Sequence, residues 1–128
     1  MLHCIFCNLP KKRIIRESKY FIVTRDIYPI SENHTLIISK RHIRFFEDLS
    51  LNERQELIEL IFSIQQNLKK KFCYQDFNIG INDGENAGQT IPHFHLHIIP
   101  RIQGDVDDPK GGIRWVIPSK ANYWSNNE

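Results

Sequence analysis

His93-Phe94-His95-Leu96-His97-Ile98-Ile99 constrains this chain more than any other stretch. Strict alternation of imidazole and apolar side chains is the pattern of a strand with two unlike faces, because successive side chains on a strand point to opposite sides. Phe94, Leu96 and Ile98 then belong to a core, while His93, His95 and His97 form a row with neighbours roughly 6.5–7 Å apart. Pro92 and Pro100 bracket the row, and since neither can donate to a ladder both are expected at strand ends. Three readings fit such a row. It is a polar strand face, or three ligands of one catalytic metal, or a division of labour in which one ring serves structure, one attacks and one meets phosphate charge.

A chain of 128 residues reads as a single domain, 1–128, with the tail from about 119 less ordered. Hydrophobic content of 41% and charged content of 25% are those of an ordinary soluble domain. A net charge of only +2 argues against a nucleic acid polymer as partner and leaves small anionic substrates open. No basic segment precedes a long apolar run at the start, so no signal peptide is expected; no stretch approaches the roughly 20 apolar residues of a membrane span, so no membrane partner is expected. Three cysteines, an odd number, fit a reducing compartment, and the cytoplasm is the expected location.

Cys4-Ile5-Phe6-Cys7 opens the chain. Two thiols at this spacing can hold zinc, but zinc takes four ligands and only Cys73 remains, so two histidines would have to complete the set. A redox pair and a packed pair of small residues are the rivals. Cys73 reads as inert core at a helix end. Arg13–Glu17 and Tyr20–Arg25 are rich in β-branched and aromatic residues and predict a hairpin. Asp26 follows in a bend, as a turn former or as an acceptor for a ribose hydroxyl. His34–Ser39 predicts a third strand. Ser50-Leu51-Asn52-Glu53 is a capping box, and Leu57, Ile61, Ile64 and Leu68 recur at helical spacing, predicting a helix over about 50–71 whose charges face solvent. Asp76–Asn82 predicts a fourth strand, joined to the histidine strand by a loop whose glycines permit close backbone approach to an anion. The class is α+β: an antiparallel sheet of about five strands with one long helix packed on it.

Taken together these segments resemble the histidine triad (HIT) superfamily. His93–Ile99 matches its alternating histidine signature in full; Asn82-Asp83-Gly84, Ala87-Gly88-Gln89 and His34–His42 look like its other characteristic segments, and the short Hint-like branch fits best. The resemblance implies an HIT-like fold and a hydrolase acting at the α-phosphate of a purine nucleotide through a nucleotidyl-histidine. It makes His95 the nucleophile and places His97, Asn82, Gly88, Gln89 and Thr90 against phosphate or leaving group. Asp26 would hold the ribose and Ile27 the base. Cys4, Cys7, His42 and His93 match the structural zinc set of the zinc-bearing members, and His34 would be a hydrogen-bonded histidine near the site.

The resemblance also implies a homodimer, in which Gly111–Trp115 reaches toward the partner's site; burial of Trp115 in the core is the alternative. The expected activity is that of a purine nucleoside phosphoramidase or dinucleoside polyphosphate hydrolase. A non-catalytic nucleotide-binding or interaction module, and a nucleotidyltransferase, are the other readings of the same pocket. Two positions depart from the family pattern: Asn33 where glycine is common and Ser39 where proline is. Asparagine tolerates the left-handed conformation a glycine would hold.

Overall fold

The computed structural model describes residues 3–125. Five strands form one antiparallel sheet: β1 (Ile14–Glu17), β2 (Phe21–Arg25), β3 (Thr35–Ser39), β4 (Asp76–Gly80) and β5 (His95–Arg101), in the spatial order β1-β2-β3-β5-β4. The long helix α1 (Leu51–Phe72) packs on one face, and a single helical turn, α2 (Pro118–Ala121), lies near the end of the chain. This is the α+β architecture that the alternation of short β-rich runs with one helical run predicts.

The central strands β2 and β3 are buried on both faces, which is why their sequences are almost continuously apolar. Phe21, Val23 and Ile37 meet Phe94, Leu96 and Ile98 on the helix side, against Leu57, Leu60, Ile64 and Leu68 of α1. The fourth anchor is Leu60 rather than the expected Ile61, which packs at the margin of the same cluster. Burial of each such side chain contributes about 1.5–3 kcal/mol. Ile22, Leu36 and Ile38 face the other way and cover Phe6. That second face carries the histidines.

The capping box starts α1 as expected: the Glu53 amide donates to Ser50 Oγ at 3.1 Å, and the Ser50 amide to Glu53 Oε1 at 2.8 Å. Glu53 itself is 1% exposed and so is no part of a solvated face. Its carboxylate takes both arms of the Arg41 guanidinium, at 2.6 and 3.0 Å, because a buried charge needs an opposite one. At the other end Cys73 is the left-handed C-cap, φ 62°, and is exposed rather than core. Asn33 holds φ 65°, the conformation for which asparagine substitutes for glycine.

Two boundaries around the histidine row differ from expectation. β5 starts at His95, so His93 stands outside the strand. Pro92 has no amide proton, the His93 amide turns back to the Ile91 carbonyl, and the Phe94 amide donates to Ile43; together these hold residues 91–93 out of the ladder. Phe94 keeps one bond to β3, its carbonyl accepting the Ser39 amide at 3.2 Å. Pro100 falls inside β5. Pairing with β3 ends at Thr35↔Ile98, so Pro100 has only β4 beside it and its missing donor costs no central ladder bond. Near the C-terminus, Arg114 donates to the carbonyls of Lys120 and Ala121 at α2, and residues 126–128 lie outside those described.

Candidate active site and metal centre

Excluded from the strand, His93 turns toward the N-terminal turn. Its Nδ1 lies 3.3 Å from Cys4 Sγ, 3.5 Å from Cys7 Sγ and 3.1 Å from His42 Nδ1, and Cys7 Sγ lies 3.1 Å from that same His42 nitrogen. Two thiols and two imidazole nitrogens thus converge within 4.8 Å of one another, and the group can hold a metal ion. The donor chemistry supports this. His93 Nε2–H donates to the Ser39 carbonyl at 2.7 Å, which leaves Nδ1 as the lone-pair nitrogen aimed at the sulfurs. A Cys₂His₂ set of this kind suits zinc and leaves no open position. The Arg41–Glu53 pair fixes the residue next to His42, tying this corner to the start of α1.

A second cluster, Asp26, His34 and His97, also brings its ligand atoms close together. Its donor chemistry is wrong for a metal. The Ile30 amide donates to His34 Nδ1 at 3.3 Å, so in neutral His34 the proton sits on Nε2, the very atom that would have to ligate. That Nε2–H instead lies 2.9 Å from His97 Nδ1, with Asp26 Oδ2 at 3.5 Å. Occupied as an acceptor, His97 Nδ1 places its ring proton on Nε2. A backbone amide therefore sets the tautomers of two successive histidines.

His95 is oriented from the other side. Its Nδ1 lies 2.8 Å from the His93 carbonyl oxygen, and a carbonyl only accepts, so Nδ1 carries the proton and Nε2 keeps the lone pair. Phe6 meets the His95 ring edge-on at 5.0 Å, and the His97 ring stands 5.2 Å away. Burial holds the His95 imidazole below its ordinary protonation range, opposed by the bond to His93. His97 is pushed down to about 4, by burial first and then by the neighbouring rings of His95 and His34. Burial likewise lowers His34, with Asp26 opposing. Near neutral pH the site holds neutral rings: one with a free nitrogen lone pair, one with an N–H to offer.

These rings line a cleft of about 1310 Å³ on the sheet face opposite α1. Asp26, Ile27, Asn82, Gly88 and Thr90 share the wall. Asp26 also serves the turn, its Oδ1 accepting the Tyr28 amide at 2.9 Å. Gln89 is a correction. Its Oε1 accepts the Gly84 amide at 3.0 Å and its Nε2 donates to the Arg44 carbonyl at 3.1 Å, so the buried amide braces the loop from behind and does not line the cleft. Trp115 is neither core nor cleft wall: it is 45% exposed, donates to the Lys110 carbonyl, and meets Trp124 edge-on. Gly112 and Ile113 line the cleft of their own chain.

Sequence reasoning missed Phe6 as a ring packed on both His93 and His95, the Ser39 carbonyl as the partner of His93, and Arg101 as a cleft residue. The apolar residue inside the C-x-x-C and the arginine ending the histidine strand were the available signals.

A family model described as the HIT domain matches residues 9–104. The bis(5'-nucleosyl)-tetraphosphatase (asymmetrical) of Schizosaccharomyces pombe is 40% identical over 83 residues, covering 65% of this chain and 46% of that protein. An uncharacterized HIT-like protein of Methanocaldococcus jannaschii is 34% identical, over 85% of this chain and 87% of that one. The bis(5'-adenosyl)-triphosphatase of Saccharomyces cerevisiae is 31% identical over 93% of this chain, which spans 55% of that protein. The chain thus spans about half the length of these two named phosphatases. Among solved structures, a zinc-bound histidine triad family protein of Mycobacterium smegmatis superposes with a TM-score of 0.73 at 33% identity, covering 81% of this chain and 78% of that one.

Proposed function

The chain belongs to the HIT-domain family, and from that premise we propose that it hydrolyses nucleotides of the form NMP-X at the α-phosphate through a nucleotidyl-histidine on His95. The substrates are dinucleoside polyphosphates or purine nucleoside phosphoramidates, with AMP-X as the type. Relatives named as dinucleoside tetraphosphatase and triphosphatase support this class.

One observation carries the reading: His95 Nδ1 is tied to the His93 carbonyl in a ring that lines the cleft. Nucleophilic attack by imidazole needs a neutral ring whose distal nitrogen is protonated and fixed, and this bond supplies both. His95 Nε2 attacks phosphorus, the Nε2–P bond forms as the P–X bond breaks, and X leaves with the electron pair and takes up a proton. Water then adds hydroxide to phosphorus, releases a proton, and the Nε2 electron pair returns to the ring. His97 presents its Nε2–H to a phosphoryl oxygen or to X, and Thr90 and Asn82 add polar atoms to the same wall. Asp26 receives the ribose and Ile27, 61% exposed, offers an apolar surface to the base.

Zinc at Cys4, Cys7, His42 and His93 would supply no reaction chemistry, only a fixed corner. What this chain does there is hold the His93 carbonyl in place behind the nucleophile. The reading includes a twofold homodimer, the commonest soluble assembly, and a reducing compartment such as the cytoplasm, where the thiols at Cys4 and Cys7 persist.

The test is turnover of an adenosine phosphoramidate and of a diadenosine polyphosphate by wild type, His95→Ala and His95→Asn. Loss of at least about 10³-fold in kcat is expected, with a nucleotidyl adduct on His95 trapped by rapid quench in wild type. Undiminished turnover in both variants would overturn the mechanism.

A further inference from the structure

On the opposite face of the sheet lies a second concavity, between β1–β2 and the C-terminal half of α1, of about 290 Å³. Arg16, Arg25 and Lys71 line it, with Asn67 beside them, and no aspartate or glutamate does so among the described residues. Its floor is aliphatic, from Val23, Ile64 and Leu68. Three cations around one small cavity stand out in a chain whose net charge is +2.

None of the three forms an ion pair among the described residues; the pairs there are Asp26–His34, Glu17–Lys40, Glu53–Arg41 and Asp105–Arg101. Arg16 donates to Ser63 Oγ at 2.8 Å and Arg25 to Thr35 Oγ1 at 2.6 Å, so each guanidinium is aimed by one hydroxyl and keeps further donors for a ligand. Arg25 is half-buried, and burial lowers its proton affinity from the ordinary guanidinium range with no carboxylate opposing it. A charge withdrawn from water without a counter-charge is costly, and an anion in the cavity relieves that cost. Arg25 directly precedes Asp26, whose side chain lines the catalytic cleft, so the sheet separates the two concavities.

The geometry points to an anion site here, independent of the cleft, that binds a phosphate group, either free phosphate or a small phosphomonoester. Two guanidinium forks and an ammonium match the charge and the several acceptor oxygens of phosphate better than the single negative charge of a carboxylate. The volume suits a phosphate with a small substituent and lies below the usual range for larger ligands.

The experiment is a titration of the ¹⁵N-labelled full-length protein at constant ionic strength, reading the Nε–H resonances of Arg16 and Arg25 and the side-chain amide of Asn67. Inorganic phosphate, methyl phosphate and acetate are the three probes. Saturable shifts at these groups with either phosphate are expected, and the tighter of the two identifies the source. In Arg16→Gln/Lys71→Gln the dissociation constant should rise at least about tenfold, while shifts at His95 and His97 from phosphate in the cleft remain. The double variant spares half-buried Arg25, and its exposed positions leave the fold intact. Shifts that stay linear in concentration, an unchanged constant in the variant, or equal saturation by acetate would each overturn the site. Since the readout is local to this cavity, failure here and failure of the His95 mechanism are distinguishable.

Discussion

His34 Nε2 lies 2.9 Å from His97 Nδ1, and the Ile30 amide on the far side of the His34 ring decides which of the two nitrogens carries the proton between them. His34 touches no reacting atom in the proposed reaction. It acts by presenting His97 in the tautomer that offers Nε2–H to the cleft.

His34→Ala should therefore lower kcat by about 10–10³-fold, the usual cost of one misaligned transition-state donor, while KM for an AMP-X substrate changes little. His34→Asn can donate from its amide and should recover part of the loss. A variant that raises KM and leaves kcat alone would assign His34 to binding instead. Steady-state kinetics on both substrate classes decides it.

The pH dependence of stability follows from His97. Its folded-state pKa of about 4 lies below the 6.5 of a free imidazole. Between these values the unfolded chain binds the proton and the folded one does not, so stability falls as pH drops from 6.5 toward 4 and this contribution levels off below. The ring is partly exposed, so the loss from this group is on the order of 2 kcal/mol after discounting for solvent screening. Urea midpoints at pH 7 and pH 4.5 should converge in His97→Gln relative to wild type.

Metal removal gives a third test. Elemental analysis should find one equivalent of zinc per chain, lost in Cys4→Ser/Cys7→Ser. Chelation should lower Tm by several degrees, corresponding to about 2 kcal/mol or more. Since the proposed reaction uses no zinc chemistry, replacement by cadmium or cobalt should retain most of the turnover. Metal-free native protein with an unchanged Tm would remove the metal from the structure.

Glu53 provides the fourth. Glu53→Ala deletes one half of the capping box and frees the half-exposed Arg41 guanidinium to solvent, and is expected to lower stability. Glu53→Gln keeps the amide contacts and should lose less. Denaturant titration orders the two variants. Because Arg41 precedes His42, Glu53→Ala should also weaken retention of metal against a chelator.

The strands and the helix were legible because periodicity is a local property, whereas Asp26, Ile27, Asn82, Gly88 and Thr90 were singled out only through the family resemblance, and the fold puts all five on the cleft wall. Gln89 was not. Its place in the motif suggests a polar group for the ligand, and only the fold reveals that Gly84 and Arg44 take both ends of the amide. The burial of Glu53 escaped for a similar reason: a helix-start glutamate reads as solvated until Arg41 arrives from the β3 side. His93 is the instructive case. Alternation correctly identified its neighbours' faces, yet period-two reasoning assumes an unbroken ladder, and Pro92 with the Ile43 carbonyl ends the ladder two residues early.

That early ending has a chemical price tag attached to its benefit. Inside a ladder a residue's carbonyl is spoken for by the adjacent strand; two residues outside it, the oxygen of His93 is free to steer a neighbouring ring. A continuous strand through position 93 would add regularity to the sheet and take that carbonyl away from the His95 ring. Restoring the ladder there would make a better sheet and leave His95 without the bond that sets its tautomer.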